Sequence, residues 1–154
     1  METVRKILAP TDLSELSCVG LRHALETGRS RGVEVIVYYV IELGDQWIRR
    51  REVTGPIHEM IGRHKRMLDS FLRDKFPDLM NLVEVQQVVE LGAAAHNIVE
   101  KAKSEGVDMI VMSTHGRTGF NHLILGSVSE KVVARAPCPV LVIPAHKRDI
   151  AKAA

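Results

Sequence analysis

Strand-like and helix-like segments alternate from one end of the chain to the other. The run Val33–Ile41 is β-branched and almost continuously apolar, which is typical of a strand buried on both faces of a sheet. The segment Ser14–Ser30 instead carries its apolar and small residues at helical spacing. Strands connected by helices form parallel sheets with right-handed crossovers. The pattern therefore predicts a Rossmann-like α/β fold, with an open five-stranded parallel sheet and helices on both faces.

The element boundaries follow from glycine, proline and the hydrophobic period. Pro10 and Pro144 are expected to end the first and last strands, and 113–126 is expected to be a loop. The predicted strands are Arg5–Ala9, Val33–Ile41, Leu82–Leu91, Asp108–Met112 and Val140–Ile143, and the predicted helices are Ser14–Ser30, Ile57–Asp74, Ala93–Glu105 and Val128–Arg135.

The composition is that of one ordinary globular domain. The chain has 154 residues, of which 45% are hydrophobic and 26% charged, and we expect a domain over 1–146 with a frayed tail over 147–154. No apolar run approaches the roughly 20 residues that span a bilayer, and the N-terminus does not resemble a signal peptide, so we expect a cytoplasmic protein without a membrane partner. A net charge of +2 with 4% aromatic residues does not favour nucleic-acid binding.

Two predicted strand ends carry polar residues suited to ligand binding. One is Pro10-Thr11-Asp12, and the other is the segment 113–119. Ligands of open α/β sheets bind at the carboxyl ends of the strands. Further along, Gly126 and Ser127 precede a helix, whose N-terminal N–H groups attract anions. A phosphate site at 126–129 follows, with the alternative that Ser127 is only an N-cap and the glycines only shape a loop. Neither a Walker loop nor a dinucleotide fingerprint is present.

Four stretches of this sequence together resemble the universal stress protein family. They are Lys6–Asp12, Met112–Gly119, Leu125–Glu130 and Pro137–Val142. The resemblance covers essentially the whole chain and implies the strand order 3-2-1-4-5. ATP-binding members of the family carry Gly-x2-Gly-x9-Gly-[Ser/Thr]. Gly116, Gly126 and Ser127 match this motif, but Ser113 replaces its first glycine, where a positive φ would be costly.

The resemblance also assigns roles to individual positions. Pro10, Thr11 and Asp12 would border the adenosine, Val40 would contact adenine, Met112 and Ser113 would line the ribose, and Gly116, Gly126, Ser127, Val128 and Ser129 would hold the phosphates. Arg117 is a further candidate near the terminal phosphates, with a solvated loop arginine as the alternative. Asp12 fits a cap of the first helix equally well, and Val40 fits the core.

These features predict an ATP-binding regulatory or stress-response protein. A divalent cation such as Mg²⁺ is expected to accompany ATP through its phosphates. The resemblance implies a homodimer formed through the last strand, Val140–Ile143. His115 has no accompanying carboxylate or nucleophile pattern, and without an evident general base we expect at most weak hydrolysis.

Two other functions are weighed against this one. The first is a nucleotide-free structural or interaction protein of the same fold, in which Ser113 marks a degenerate loop. The second is a nucleotidyl-transferring or ATP-pyrophosphatase enzyme, but the His-x-Gly-His and Ser-Gly-Gly-x-Asp-Ser motifs of those enzymes are missing from the sequence.

Overall fold

The computed structural model describes residues 3–44, 56–115 and 125–145. Strands and helices alternate there, and all strand pairs are parallel. The five strands form one sheet in the order β3-β2-β1-β4-β5, which confirms the predicted architecture. The elements are β1 (Lys6–Thr11), α1 (Ser17–Arg31), β2 (Glu34–Ile41), α2 (Ile57–Lys75), β3 (Val85–Leu91), α3 (Ala94–Glu105), β4 (Met109–His115), α4 (Ser127–Arg135) and β5 (Val140–Ala145).

Two hydrophobic cores lie on opposite faces of the sheet. The first joins α1 and α2 to the sheet, and Leu25 and Leu72 are among its fully buried side chains. The second joins α3 and α4 to the sheet through residues such as Ile98 and Val132. Successive side chains of a strand point to opposite faces, so Ile7 belongs to the first core. Its neighbour Leu8 belongs to the second. This division explains why the central strands are apolar throughout.

Helix α1 packs very closely on the sheet through its small residues. A Cβ built on Gly20 would lie 2.8 Å from the backbone nitrogen of Ser113, and one built on Gly28 would lie 2.6 Å from Val83 Cγ1. Because neither residue has a side chain, the helix can approach the sheet this closely. The small residues spaced four apart in the sequence mark this contact face.

Both prolines expected to end strands lie inside them instead. Pro10 pairs with Tyr38 in β1, and Pro144 pairs with Thr114 in β5. Pro144 is tolerated because β5 is an edge strand, where a missing N–H costs no ladder hydrogen bond. Pro10 is tolerated because the paired register of β1 and β4 covers only Ile7 and Leu8. The two strands have separated by the time the chain reaches the proline.

Three other boundaries differ from the predicted ones. Strand β4 continues to His115, so Ser113 lies in a strand and not in a loop, because β5 pairs with β4 over this whole length. Helix α1 begins at Ser17, after a turn in which Ser17 N–H donates to the Ser14 carbonyl. Strand β3 begins at Val85, since Leu82 N–H closes a turn onto the Leu79 carbonyl.

Candidate functional site

A cavity of about 220 Å³ opens where β1 and β4 separate. This is the point at which the strand order reverses. In the sheet, β1 lies between β2 and β4, so the chain adds strands first on one side of β1 and then on the other. Ligands of open α/β sheets bind in such crevices. The cavity is bordered by the carboxyl ends of β1, β2 and β4 and by the N-terminal ends of α3 and α4.

The structure brings most of the predicted site residues together around this cavity. They come from four separate parts of the chain, and they are Pro10, Thr11, Asp12, Val40, Met112, Ser113, Gly126, Ser127, Val128 and Ser129. Gly116 and Arg117 lie outside the described residues. Val40 also packs against the second core, so it serves the core and the cavity wall together.

One end of the cavity is rich in hydrogen-bond donors. Gly126, not Ser127, is the N-cap of α4, and it makes no side-chain cap hydrogen bond. The first helical bond runs from Glu130 N–H to the Gly126 carbonyl. Among the described residues, the N–H groups of 127–129 therefore have no acceptor, as is usual for the first turn of a helix. With the Ser127 hydroxyl beside them, they form an end suited to an anion.

The start of α4 is fixed by two hydroxyl groups. Gly126 N–H donates to Thr114 Oγ1 at 3.1 Å. Ser129 is only 4% exposed, and its hydroxyl donates to the Ser113 carbonyl at 3.3 Å. Both bonds tie the start of α4 to the end of β4. The donor end of the cavity is therefore held against the sheet.

Ser113 occupies the position of the first motif glycine without backbone strain. Its hydroxyl accepts Gly20 N–H at 2.7 Å, which places the side chain against α1. Among the described non-glycine residues, Leu13 is the one with a positive φ. The cost that a positive φ would carry at Ser113 is therefore not incurred, because this residue lies in β4 and has a negative φ.

A cluster of hydroxyl groups holds the end of β1 against the start of α1. The hydroxyls of Thr11 and Ser17 share a hydrogen bond of 2.8 Å, and Leu13 N–H donates to Thr11 Oγ1 at 3.0 Å. Asp12 Oδ1 accepts Ser14 N–H at 3.0 Å. Asp12 therefore caps the turn before α1 and does not cap the helix itself, whose N-cap is Leu16.

Beneath the cavity lies a polar network centred on a buried tyrosine. The Tyr38 hydroxyl donates to Glu90 Oε2 at 2.6 Å, and Glu90 also pairs with Lys101. Burial, followed by the hydrogen bond to Glu90, raises the pKa of Tyr38 well above its usual range. Burial alone would raise the pKa of Glu90, but hydrogen bonds from Lys101 and Tyr38 outweigh it and lower that pKa. The phenol therefore stays protonated and the ring stays fixed.

Sequence reasoning missed six residues that line this cavity, which are Ser14, Ser17, Tyr38, Glu42, Ala94 and Ile98. Ala94 and Ile98 lie on α3, which the predicted strand ends did not implicate. Glu42 follows β2 directly, and its Oε1 accepts the N–H of Ala94 at 2.8 Å. Its place directly after β2, two positions beyond Val40, is the sequence feature that could have identified Glu42 as a site residue.

Neither a metal cluster nor a membrane span is found in the described parts of the chain. No three histidine, cysteine, aspartate or glutamate side chains of residues 3–44, 56–115 and 125–145 gather closely enough to hold a metal ion. Across the same residues, no helix combines the length and the apolar character that crossing a membrane requires.

Comparison with known proteins identifies close relatives over nearly the whole chain. The model of the universal stress protein family matches residues 3–144. Universal stress protein MJ0577 of Methanocaldococcus jannaschii is 30% identical over 154 residues, which cover 90% of this chain and 94% of that protein. Universal stress protein YxiE of Bacillus subtilis is 39% identical over 146 residues, covering 90% and 97%.

Solved structures show the same fold. The structure of MJ0577 superimposes with a TM-score of 0.73 at 29% identity and covers 95% of this chain and 99% of that one. A universal stress protein solved in complex with cAMP has a TM-score of 0.62 at 17% identity, covering 94% and 100%.

Proposed function

This chain belongs to the universal stress protein family, and we propose that it binds ATP in the cavity at the β1–β4 switch point, as a cytoplasmic homodimer with a regulatory or stress-response role. The observation that carries this proposal is the donor end of the cavity. There the first residues of α4, whose N–H groups have no acceptor among the described residues, line a space that the ends of three strands border. An anionic group complements such an end, and phosphates are among the anions that bind at helix N-termini.

The opposite end of the cavity suits a base. Val40, Ala94 and Ile98 provide apolar surface there, and the Tyr38 ring lies below. A ligand with a planar, partly apolar group at one end and phosphates at the other matches both ends together. A protein with this fold has been solved in complex with cAMP, which is itself an adenine nucleotide.

Asp12 would face the nucleoside between these two ends. Its carboxylate already accepts Ser14 N–H, and the other carboxylate in the cavity wall, that of Glu42, accepts Ala94 N–H. Carboxylates engaged in this way serve to position the backbone, and they are poorly placed to activate water. We therefore propose slow hydrolysis at most, with a divalent cation held through the phosphates.

Calorimetric titration with ATP tests the donor end directly. Gly126 has φ −63° and ψ 157°, which valine also adopts, so Gly126→Val places a branched side chain at that end without straining the backbone. We expect the dissociation constant for ATP to rise at least about tenfold, which corresponds to about 1.4 kcal/mol of lost binding energy. The control is Gly62→Val in α2, in the helix layer on the other face of the sheet, which should leave ATP affinity unchanged.

Equal ATP binding by the wild type and the Gly126→Val variant would rule out the proposed site. Mass spectrometry of the purified protein adds an independent measurement, because a co-purifying adenine nucleotide supports the proposal. A protein that carries no nucleotide and does not bind added ATP would be the nucleotide-free interaction protein instead.

A further inference from the structure

Two helix N-termini meet at this cavity, and they differ in how they are capped. The first N–H of α3, from Ala94, donates to the carboxylate of Glu42. Helix α4 has no side-chain cap at Gly126. The acidic residue in its first turn, Glu130, is exposed and does not line the cavity. An anion therefore finds free donors at α4, whereas at α3 it meets a negative charge.

This difference determines which way round a nucleotide lies in the cavity. A phosphate near α3 would lie close to the Glu42 carboxylate, and like charges at short range repel strongly once water is displaced. A phosphate at α4 meets N–H groups and the Ser127 hydroxyl. Phosphates thus belong at α4, and the base belongs beside Val40 and Ala94, within reach of Glu42.

The side chain of Glu42 also has an oxygen to spare. Its Oε1 accepts Ala94 N–H at 2.8 Å, whereas among the described residues no donor engages Oε2. The Ala94 bond fixes the orientation of the carboxylate, and the side chain forms part of the cavity wall. Glu42 is exposed to solvent before a ligand binds, and a fixed acceptor in the cavity wall recognises a donor on the ligand and disfavours an acceptor at the same place.

We propose that Glu42 is a specificity-determining residue that selects 6-amino purines over 6-oxo purines. The exocyclic amine of adenine donates a hydrogen bond to the free Glu42 oxygen. A 6-oxo purine presents a carbonyl oxygen there, so two acceptors face each other and neither gains a hydrogen-bond partner. This inference rests on the proposed function, because it requires that the cavity hold a purine nucleotide.

The test compares ATP with inosine 5′-triphosphate by calorimetric titration. These two ligands share the ribose and phosphates and differ only on one edge of the base, where the 6-amine and N1 acceptor of adenine become a carbonyl and an N1–H group. We expect the wild type to bind ATP at least about tenfold more tightly than inosine triphosphate, the discrimination typical of one hydrogen bond to a charged group. In Glu42→Gln the preference for ATP should be lost or reversed, because the amide oxygen stays on Ala94 N–H and the amide NH2 left for the base donates to a carbonyl but cannot accept from an amine.

The Glu42→Gln variant keeps the structural role of the side chain. Its amide oxygen still accepts Ala94 N–H, so the start of α3 is retained, and an unchanged thermal midpoint verifies this. Glu26→Gln is the matched control, because it makes the same charge change on α1, far from the cavity wall, and should preserve the wild-type ratio. A loss of folding alone would weaken both nucleotides together and leave their ratio unaltered.

Several outcomes would overturn the inference. An unchanged ratio in Glu42→Gln would do so, as would an equal fall of the ratio in Glu26→Gln. A collapse of the ratio in Asp12→Asn but not in Glu42→Gln would assign the selection to Asp12 instead. Failure of the wild type to bind ATP would overturn the proposed function itself, and that result is distinguishable from all the others.

Discussion

Leu13 has a left-handed backbone conformation, with φ at +64°. For a residue with a Cβ this conformation costs about 1–2 kcal/mol relative to right-handed geometry. Two contacts hold it. Its N–H donates to Thr11 Oγ1, and its side chain packs against the core between α1, α2 and the sheet. The strained position lies between Asp12 and Ser14, both of which line the cavity.

This strain predicts an inverted order of stability at position 13. Leu13→Ala removes the side-chain packing and keeps the strain, whereas Leu13→Gly removes both. We expect the glycine variant to be more stable than the alanine variant by about 1 kcal/mol, the reverse of the usual preference. Urea unfolding of the two variants measures the difference. An alanine variant more stable than the glycine variant, which is the usual order, would contradict this cost of the left-handed conformation.

Individual site residues were predictable to different degrees. Gly126 and Ser129 could be placed at a helix start because capping is a local property of the sequence. Ser113 could not be interpreted correctly from its motif alone. Its hydroxyl bonds to Gly20, which is 93 positions away in the sequence, and no local pattern contains that contact.

At the level of elements, α1 and β4 are in close contact beside the site. The N–H of Gly20 bonds to Ser113, and a Cβ on Gly20 would also lie 2.9 Å from the backbone carbon of Met112. The atoms in the way belong mainly to the β4 backbone, which cannot rotate aside. The end of β4 that lines the cavity is therefore positioned by a helix residue with no side chain.

We expect Gly20→Ala to destabilise the protein by about 1–3 kcal/mol, the usual cost of overpacking. The matched control is Gly62→Ala on α2, where the nearest atom to the new Cβ is the end of the flexible Arg66 side chain at 3.7 Å. That change should stabilise the protein by about 0.5–1 kcal/mol through helix propensity. Thermal or urea unfolding of both variants gives the comparison, and a stabilised Gly20→Ala would contradict the close contact.

The number and type of elements followed from the sequence, but the five boundaries described above did not. Hydrophobic period and glycine placement are local signals, and they located all the strands and helices that the structure describes. The ends of β1, β4 and β5 depend on pairing between strands far apart in the chain. Pro10 and Pro144 were predicted to end their strands because proline cannot donate a ladder hydrogen bond. Local sequence does not show which strands have an unpaired side, where proline is tolerated.

At the scale of the whole molecule, the order of the strands creates the site. The chain builds outward from β1 to β2 and β3, then returns to β1 on the other side with β4 and β5. The helices following β1 and β4 leave toward opposite faces, as the two cores show, and the crevice forms between them. Alternation alone predicted a parallel sheet, whereas its order came from the family resemblance, because several orders satisfy the same alternation.

That order leaves β5 at one edge of the sheet, where its backbone groups are free to pair with a second copy of the chain. If the homodimer forms there, Leu141→Lys should weaken it at least about tenfold, because two like charges would meet along the paired strands. Leu141 is 37% exposed, and Leu82, which precedes β3 at the other edge and is 61% exposed, offers the matched control Leu82→Lys. Light scattering across a concentration range measures the molar mass. We expect the mass of a dimer for the wild type and for Leu82→Lys, and a mass that falls toward that of a monomer on dilution for Leu141→Lys. A monomeric wild type, or a Leu141→Lys variant that stays as dimeric as the control, would exclude β5 as the interface.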